Sequence, residues 1–339
     1  MHRIEKIDND MQFSVIIPVF NRPAELDELL NSLTRQTNRQ FEVIVVEDGS
    51  DQKSDTIVEK YKDRLPITYI EKPNSGPGLS RNAGAQRARY GYLIFFDSDC
   101  IVPEKYIQIV NNFLTKQYYD AYGGPDKAHP SFTTVQKAIN YAMTSFFTTG
   151  GIRGGKKSME KFHPRSFNLG VSKRAFDAIG GFRDMRFGED IDFSLRLIEN
   201  GFTTTLIPEA YVYHKRRTNF RKFFKQVYNS GIARINLYLL HPQSLKPVHL
   251  LPSIFVVGMI VLLVLSVFYP IFLIIPLAYC LLIFIDSTIK NRSVKVGLYS
   301  IAASWIQLVG YGTGFLSAFW NRFILKKEAS NAFEKNFYD

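Results

Sequence analysis

The sequence is poor in cysteine: only Cys100 and Cys280 occur in 339 residues, the second inside an apolar run. That usage argues against a disulfide framework and suits a reducing compartment. An apolar stretch at the start is also missing, since MHRIEKIDND alternates charge. No secretory signal is therefore expected, and the first domain is expected to stay in the cytoplasm. Internal repeats and low-complexity linkers are lacking as well. Negative charge is the minority, with 31 Asp and Glu against 42 Lys and Arg, a formal net charge of +11. Such a chain favours anionic partners: phosphorylated small molecules, an acidic membrane surface or nucleic acid. Charge alone does not choose among them.

Charge disappears altogether from Leu250 to Ile285. A run of about thirty-six residues is roughly twice the minimum for one membrane-crossing helix. Pro270 and Pro276 interrupt it, and Tyr269-Pro270 would serve as a turn, which predicts a helical hairpin with a short second arm. A further uncharged stretch, Val296 to Trp320, carries Gly297, Gly310, Gly312 and Gly314, small residues that let helices pack closely in lipid. Lys290, Arg292 and Lys295 between the stretches, and Arg322, Lys326 and Lys327 after them, all favour the cytoplasmic side. Both preferences cannot hold if the third stretch crosses fully, so a re-entrant segment is one reading of it. The domain plan is a catalytic domain over 1–230, an amphipathic juxtamembrane linker over 231–249, two or three transmembrane helices over 250–320 and a cytoplasmic tail over 321–339. A buried pair of core helices is the competing reading, disfavoured by the length of the first run.

Before His249 the pattern alternates strand and helix. Ser14–Phe20, Phe41–Val46, Ile67–Ile70 and Tyr92–Phe96 read as strands; Pro23–Gln36, Ser54–Tyr61, Leu79–Arg89 and Glu104–Lys116 read as helices. Repeated β-α units with apolar strands predict an α/β fold with a doubly wound, mostly parallel sheet. In such sheets ligands bind at the carboxyl ends of the strands. That rule locates the site before any motif is invoked.

Polar signatures follow these strands: Phe20-Asn21-Arg22-Pro23, then Glu47-Asp48-Gly49-Ser50-Asp51, then Asp97-Ser98-Asp99. Two carboxylates one residue apart past a strand can converge on one hard cation, Mg²⁺ or Mn²⁺, that also shares a diphosphate; a turn cap is the plain alternative for Asp99. Asp48 could accept from a base N–H or from ribose hydroxyls, or simply make a turn. Gly76-Pro77-Gly78-Leu79-Ser80-Arg81 opens a helix but has Arg81 where a dinucleotide fingerprint needs glycine, and it follows the third strand. A dehydrogenase is disfavoured; Arg81 could hold a phosphate or position the acidic loop. In Gly188-Glu189-Asp190-Ile191-Asp192, Asp190 would sit at a helix start, either as a cap or as a base that takes a proton from an acceptor hydroxyl. Asp192 would face another way. His214-Lys215-Arg216-Arg217 through Lys225, interleaved with Phe220, Phe223, Phe224 and Tyr228, suggests an amphipathic helix at a membrane interface rather than a nucleic-acid patch. His214 is a candidate to complete a metal shell.

Taken in order, SVIIPVFNRP, VIVVEDGSD, GPGLSRNAG, FFDSDC, FNLGVSKRAFDAIGGF and GEDIDFSLRL resemble family-2 glycosyltransferases of the GT-A fold, over roughly Ser14 to Asn229. The resemblance implies a Rossmann-like sheet followed by membrane helices. It also implies a nucleotide pocket lined by Pro18, Phe20, Asn21, Arg22 and Asp48, and Asp97 near ribose and metal. By the same likeness Asp99 is the main metal ligand, with His214 as a further one in some relatives. Asn168, Gly170 and Glu189 would border sugar and acceptor, and Asp190 would be the general base of an inverting, metal-dependent transfer. Processive relatives carry Gln-x-x-Arg-Trp after the base; here Gln226-Val227-Tyr228-Asn229 has no Arg-Trp, which favours addition of single sugars.

The expected enzyme thus moves one sugar from a nucleotide-diphosphate sugar, a UDP-sugar first among them, to a lipid-linked or cell-envelope glycan hydroxyl. It would need Mg²⁺ or Mn²⁺ and would be a multi-pass protein of the inner (plasma) membrane with a cytoplasmic catalytic domain and no nucleic-acid partner. A nucleotidyltransferase acting on sugar phosphates, and a non-catalytic membrane scaffold of transferase shape, are the alternatives.

Overall fold

Runs of apolar residues buried on both faces dictate where the sheet lies. In the computed structural model, which describes residues 11–127, 129, 132–149, 164–185, 187–215 and 218–327, every side chain of FSVIIPV, FEVIVVED and YLIFF is buried. Strands of this kind belong in the middle of a covered sheet. In chain order the elements are β1 (Phe13–Val19), α1 (Pro23–Leu33), β2 (Phe41–Asp48), α2 (Asp55–Glu59), β3 (Ile67–Lys72), α3 (Pro77–Arg87), β4 (Tyr92–Phe96), β5 (Cys100–Ile101), α4 (Tyr106–Lys116), β6 (Ala121–Gly123) and β7 (Asp126–Lys127). Then come α5 (Thr134–Thr144), α6 (Phe146–Thr149), β8 (Asn168–Ser172), α7 (Lys173–Ala178), α8 (Glu189–Glu199), β9 (Thr204–Leu206) and β10 (Val212–His214). The chain continues through α9 (Phe220–Leu240), α10 (Leu251–Phe268), α11 (Ile274–Asn291) and α12 (Val294–Phe319). Among the described residues, one compact unit takes 11–127 and 164–214, and a second takes 129, 132–149 and 215–327.

In the first unit a seven-stranded sheet runs in the order β3-β2-β1-β4-β8-β6-β9. The expected α/β architecture is present. β1 to β4 are mutually parallel and β6 is parallel to β9, while β8 runs against both β4 and β6. The antiparallel strand was not foreseen. It matters because Asn168 pairs with Phe96: the chain enters β8 at the edge where β4 leaves it. Alternation divides the core. Val15, Ile17, Val43 and Val45 face the α1 leucines Leu26, Leu29, Leu30 and Leu33. Ile16, Ile44 and Phe95 face Phe176, Phe182 and Phe193 on the other side. On that side α3 approaches closely, because a Cβ on Gly84 would stand 2.5 Å from Ile16 Cγ2. A second, three-stranded sheet, β5-β10-β7, pairs His214 with Cys100.

The predicted helices shift at their ends: the first stops at Leu33, the second covers Asp55–Glu59, the third starts earlier at Pro77, and the fourth starts at Tyr106.

In the second unit, Pro247–Phe268 and Pro270–Asn291 are two helical segments long and apolar enough to cross a membrane. The break at Tyr269-Pro270 falls where the sequence places the turn. The second arm is as long as the first, because Pro276 sits in the opening turn of α11, where its missing N–H breaks no helical bond. The third uncharged stretch is one unbroken helix rather than a re-entrant loop. It packs on α9 through glycine: a Cβ on Gly314 would meet Tyr228 O at 2.1 Å, and one on Gly231 would meet Tyr311 O at 2.2 Å. The boundary expected at residue 230 falls inside α9, and α5 joins this unit. Residues 1–10, Arg216, Arg217 and the tail beyond 327 lie outside the described residues.

Candidate active site

Because β1, β2 and β4 are parallel, the segments that follow them meet at one edge of the sheet. Asn21 has a positive φ of 50°, a conformation asparagine tolerates better than most residues. From there its N–H donates to Ser50 Oγ at 2.7 Å, and its Oδ1 accepts from Gln52 N at 3.0 Å. The loops after β1 and β2 are thereby tied together. Glu47 accepts from Ser50 Oγ, from Ser54 N and from Tyr69 Oη, so it builds the second loop from inside. Asp48, at the end of β2, accepts from Ser75 N at 2.9 Å, Gly76 N at 2.8 Å and Lys72 Nζ. Its carboxylate is almost wholly buried and holds the turn that leads into α3.

Arg81 lies inside α3 and is 2% exposed. Its guanidinium donates to Asp97 Oδ1 at 2.6 Å and to Glu189 Oε1 at 3.4 Å. A buried cation of this kind persists where it is paired on more than one side. It joins the loop after β4 to the first turn of α8, where Asp190 follows Glu189. Burial, then the neighbouring Asp190, push the Glu189 carboxyl up to about 7, against the opposing pull of Arg81. Asp190 Oδ2 lies 3.2 Å from Arg165 Nη1, and Asp190 Oδ1 accepts from Ile191 N. Asp192, set aside in the sequence, is fully buried and accepts from Arg196 and Arg183; Arg196 also caps the carbonyls of Ile179 and Gly181. Its work is structural.

Asp99 belongs to a group of side chains that could hold a metal ion. Its Oδ2 accepts from Arg22 Nη1 at 2.6 Å, and its Oδ1 stands 3.0 Å from His214 Nε2. The pairing of His214 with Cys100 across β10 and β5 produces this approach, and the His214 ring is held by stacking on Phe167 with centroids 4.9 Å apart. Potential ligand atoms of Asp99, Cys100 and His214 lie within 4.8 Å of one another. Burial pushes the Cys100 thiol well above its usual range, and Cys100 Sγ points at Phe167 O. A protonated thiol is a poor ligand. A carboxylate oxygen and an imidazole nitrogen remain, a set that suits Mn²⁺ or Mg²⁺ with further positions left to phosphate oxygens and water. The residues present fit the group.

The predicted site residues thus separate into classes. Asp99 joins Arg22 and His214, Arg81 joins Asp97 and Glu189, and Asp190, next to Glu189, pairs with Arg165; the Asp97-Ser98-Asp99 segment links the first two groups along the chain. Asn21 and Asp48 shape the adjoining loops, Pro18 is buried in β1, and Phe20 is half-buried at its end. Asn168 and Gly170 do not line an open surface. Asn168 is fully buried, its Oδ1 taken by Tyr106 Oη and its Nδ2 by Ala210 O. A Cβ on Gly170 would stand 1.9 Å from the Tyr122 ring, so that glycine is there for packing. Sequence reasoning missed Arg165, three residues before β8, which reaches Asp190. Knowing that β8 is antiparallel would have placed it at the right edge.

Comparison with known proteins adds to this geometry. Residues 14–182 match the family described as Glycosyl transferase family 2. A protein of Haemophilus influenzae described as an uncharacterized glycosyltransferase is 31% identical over 218 residues, covering 61% of this chain and 70% of that one. Chondroitin synthase of Pasteurella multocida is 29% identical over 249 residues, 62% of this chain; the chain spans a quarter of that relative's length, 25%. A mannosyltransferase from Pyrobaculum calidifontis, solved in complex with GDP-Man and Mn²⁺, superposes with a TM-score of 0.61 over 89% of each chain at 16% identity, a likeness of fold. The chain belongs to glycosyl transferase family 2.

Proposed function

We propose that the chain moves a single sugar from a nucleotide-diphosphate sugar, with a UDP-sugar as the donor to test first, to a hydroxyl of a lipid-linked or cell-envelope glycan acceptor, inverting the anomeric centre. The observation that carries this reading is the Arg81 bridge, which sets Asp97 and Glu189, the residue before Asp190, on one guanidinium at the edge where Asp99 meets His214.

In the reaction the acceptor oxygen bonds to the anomeric carbon on the face opposite the diphosphate, and the bond from that carbon to the diphosphate oxygen breaks. The hydroxyl proton passes to the Asp190 carboxylate. Arg165, 3.2 Å from one oxygen of that carboxylate, orients it. Arg81 fixes the spacing between the acid that faces the donor and the base that faces the acceptor. Asn21, Arg22 and Asp48 shape the nucleotide side. Asp99, His214 and Asp97 would hold Mg²⁺ or Mn²⁺, which would supply positive charge to the departing diphosphate. The missing Arg-Trp after Gln226 supports addition of one sugar at a time.

Solvent physics supports membrane attachment. Ile254, Ile260, Val264, Val267 and Phe268 of α10, and Ile271, Ile274 and Leu277 beyond it, are each more than half exposed. Apolar surface of that extent needs a covering, and a bilayer supplies it. The inner membrane, with the sheet unit on the cytoplasmic side, fits Lys246 and the Lys290, Arg292 and Lys295 group at the same end of the hairpin.

The test uses the full-length enzyme and its Asp190→Asn variant. Released nucleoside diphosphate should fall by about 10²–10⁴-fold while donor affinity stays within about threefold. Wild-type turnover in the variant would sink the assignment, and release of inorganic diphosphate from a nucleoside triphosphate would favour a nucleotidyltransferase instead.

A further inference from the structure

In sequence α5 and α6 lie between β7 and β8, yet both belong to the second unit. From Ala138 to Thr149 the chain has no Asp, Glu, Lys or Arg. Ala138, Ile139, Ala142 and Met143 of α5 join one apolar cluster with Val296 and Ala303 of α12. Toward α11 the contacts are polar and fall in order. Tyr141 Oη donates to Asp286 Oδ2 at 2.6 Å, and Tyr279 Oη donates to Phe147 O at 3.3 Å. Residue number rises along α5 and α6 as it falls along α11, so the two run side by side in opposite directions. Lys290, 2.8 Å from Asp286, marks the end of α11 that favours lipid headgroups. Tyr279 stands about 18 Å from Asn291 along the axis of α11, at a rise of about 1.5 Å per residue. Half of a hydrocarbon core is about 15 Å thick. Where α11 crosses a bilayer, α6 therefore lies beside its middle.

At that depth polar groups must be satisfied within the protein. Thr144 Oγ1 donates to Asn140 O at 2.8 Å, Thr148 Oγ1 to Ala142 O at 2.6 Å and Thr149 Oγ1 to Ser145 O at 2.9 Å. Phe147 N donates to Ser145 Oγ at 3.3 Å, and Phe147 O takes the Tyr279 hydroxyl. These hydroxyls are spent on the segment's own backbone. What it turns outward is aromatic: Phe146 is 68% exposed and Phe147 37%, with ring centroids 5.9 Å apart. Ile275 and Leu282, one turn to either side of Tyr279, are exposed as well. The aromatic pair thus continues the apolar face of the candidate span Pro270–Asn291.

We infer that α5 and α6 dip into the cytoplasmic leaflet beside α11 without crossing it, with Phe146 and Phe147 inserted among lipid acyl chains. The occupant of the aromatic face is the bilayer rather than a second copy of the chain, because that face is continuous with the exposed face of a candidate span. The inference rests on the membrane reading given above and extends it to a segment too short to cross.

The test places a nitroxide on single cysteines of the full-length chain in phosphatidylcholine–phosphatidylglycerol liposomes, in a Cys280→Ser background that leaves buried Cys100 in place. Phe146→Cys and Thr144→Cys probe the segment, Ile260→Cys probes the exposed face of α10, and Asp63→Cys probes an exposed position of the first unit. Relaxation by oxygen, which enters hydrocarbon, is compared with relaxation by a polar nickel chelate, which is excluded from it. The oxygen-to-nickel ratio at positions 146 and 144 should approach that at 260 and exceed that at 63 by about tenfold or more. Two labelled positions keep the answer if one variant misfolds, and donor binding confirms that each is folded. A ratio at 146 and 144 like that at 63, with 260 still high, would overturn the inference and leave the membrane reading standing. A label at 146 closed to both reagents would overturn it too, since protein would then cover the aromatic pair. A low ratio at 260 as well would remove the membrane reading, and the inference with it.

Discussion

The two units solve the problem of holding elements together in opposite ways. At the sheet edge of the first, cations meet carboxylates across loops: Arg22 with Asp99, Arg81 with Asp97 and Glu189, Arg165 with Asp190, Lys72 with Asp48. In the second, α9 and α12 meet where glycine lets backbone touch backbone. Ion pairs with defined geometry set catalytic groups at fixed distances, which a transfer site needs. Glycine contacts set helices close without polar groups, which suits a lipid surrounding.

The strongest way to break the first arrangement is Arg81→Leu. Removing a guanidinium that is 2% exposed leaves Asp97 and Glu189 facing each other without their cation. The expected loss is about 3–5 kcal/mol of stability, the usual result when one partner of a buried pair is removed. Chemical or thermal unfolding measures it. Adding Glu189→Gln should recover part of the loss, since one of the stranded charges is then gone; no recovery would mean that Arg81 acts by filling space.

Breaking the second arrangement needs one methyl group. Gly314→Ala places a Cβ 2.1 Å from Tyr228 O, a backbone atom that has no rotamer to yield. Overpacking of this kind is expected to cost about 1–3 kcal/mol, reduced by the better helix propensity of alanine. Gly258→Ala in α10 is the control, because nothing lies within 4 Å of its added Cβ, and it should be neutral or slightly stabilising. Equal melting shifts for the two variants would erase the contrast between a packed and an open helix face.

The same contrast decides what could be read from sequence. β1, β2 and β4 are continuous apolar runs, each followed by polar residues, and those local signals place Asp48, Asp97 and Asp99 at a strand end unaided. The hairpin of α10 and α11 is legible for a similar reason: absence of charge over a long run has one cheap explanation. What failed was long-range. FNLGVS is equally apolar in either strand direction, so nothing in it announced that β8 runs antiparallel, and Arg165 at its entrance went unseen. Asn168 was expected beside sugar and acceptor from the family resemblance, and its side-chain atoms bond Tyr106 and Ala210. The domain plan put a boundary at residue 230, whereas α9 runs through it because its buried positions Val227, Gly231 and Ile235 keep helical spacing.

A smaller effect sharpens the account of the first unit, through protons. Glu189 has its carboxyl pushed up to about 7 from an ordinary value of 4.5, by burial first and Asp190 second. In the unfolded chain it loses its proton near 4.5; in the folded chain it keeps it until about 7. Between those values the folded state binds more protons than the unfolded state, so stability falls as pH rises through that window and levels off above it. The contribution is on the order of 1–3 kcal/mol across the window, with Arg81 limiting it. Glu189→Gln removes the titration, so the difference in stability between wild type and variant should drift with pH over the same interval and be constant above it. Unfolding in denaturant at closely spaced pH values reads this directly. A pH-independent difference would mean that Glu189 stays ionised on Arg81 throughout, and the bridge would then be a simple pair of salt links.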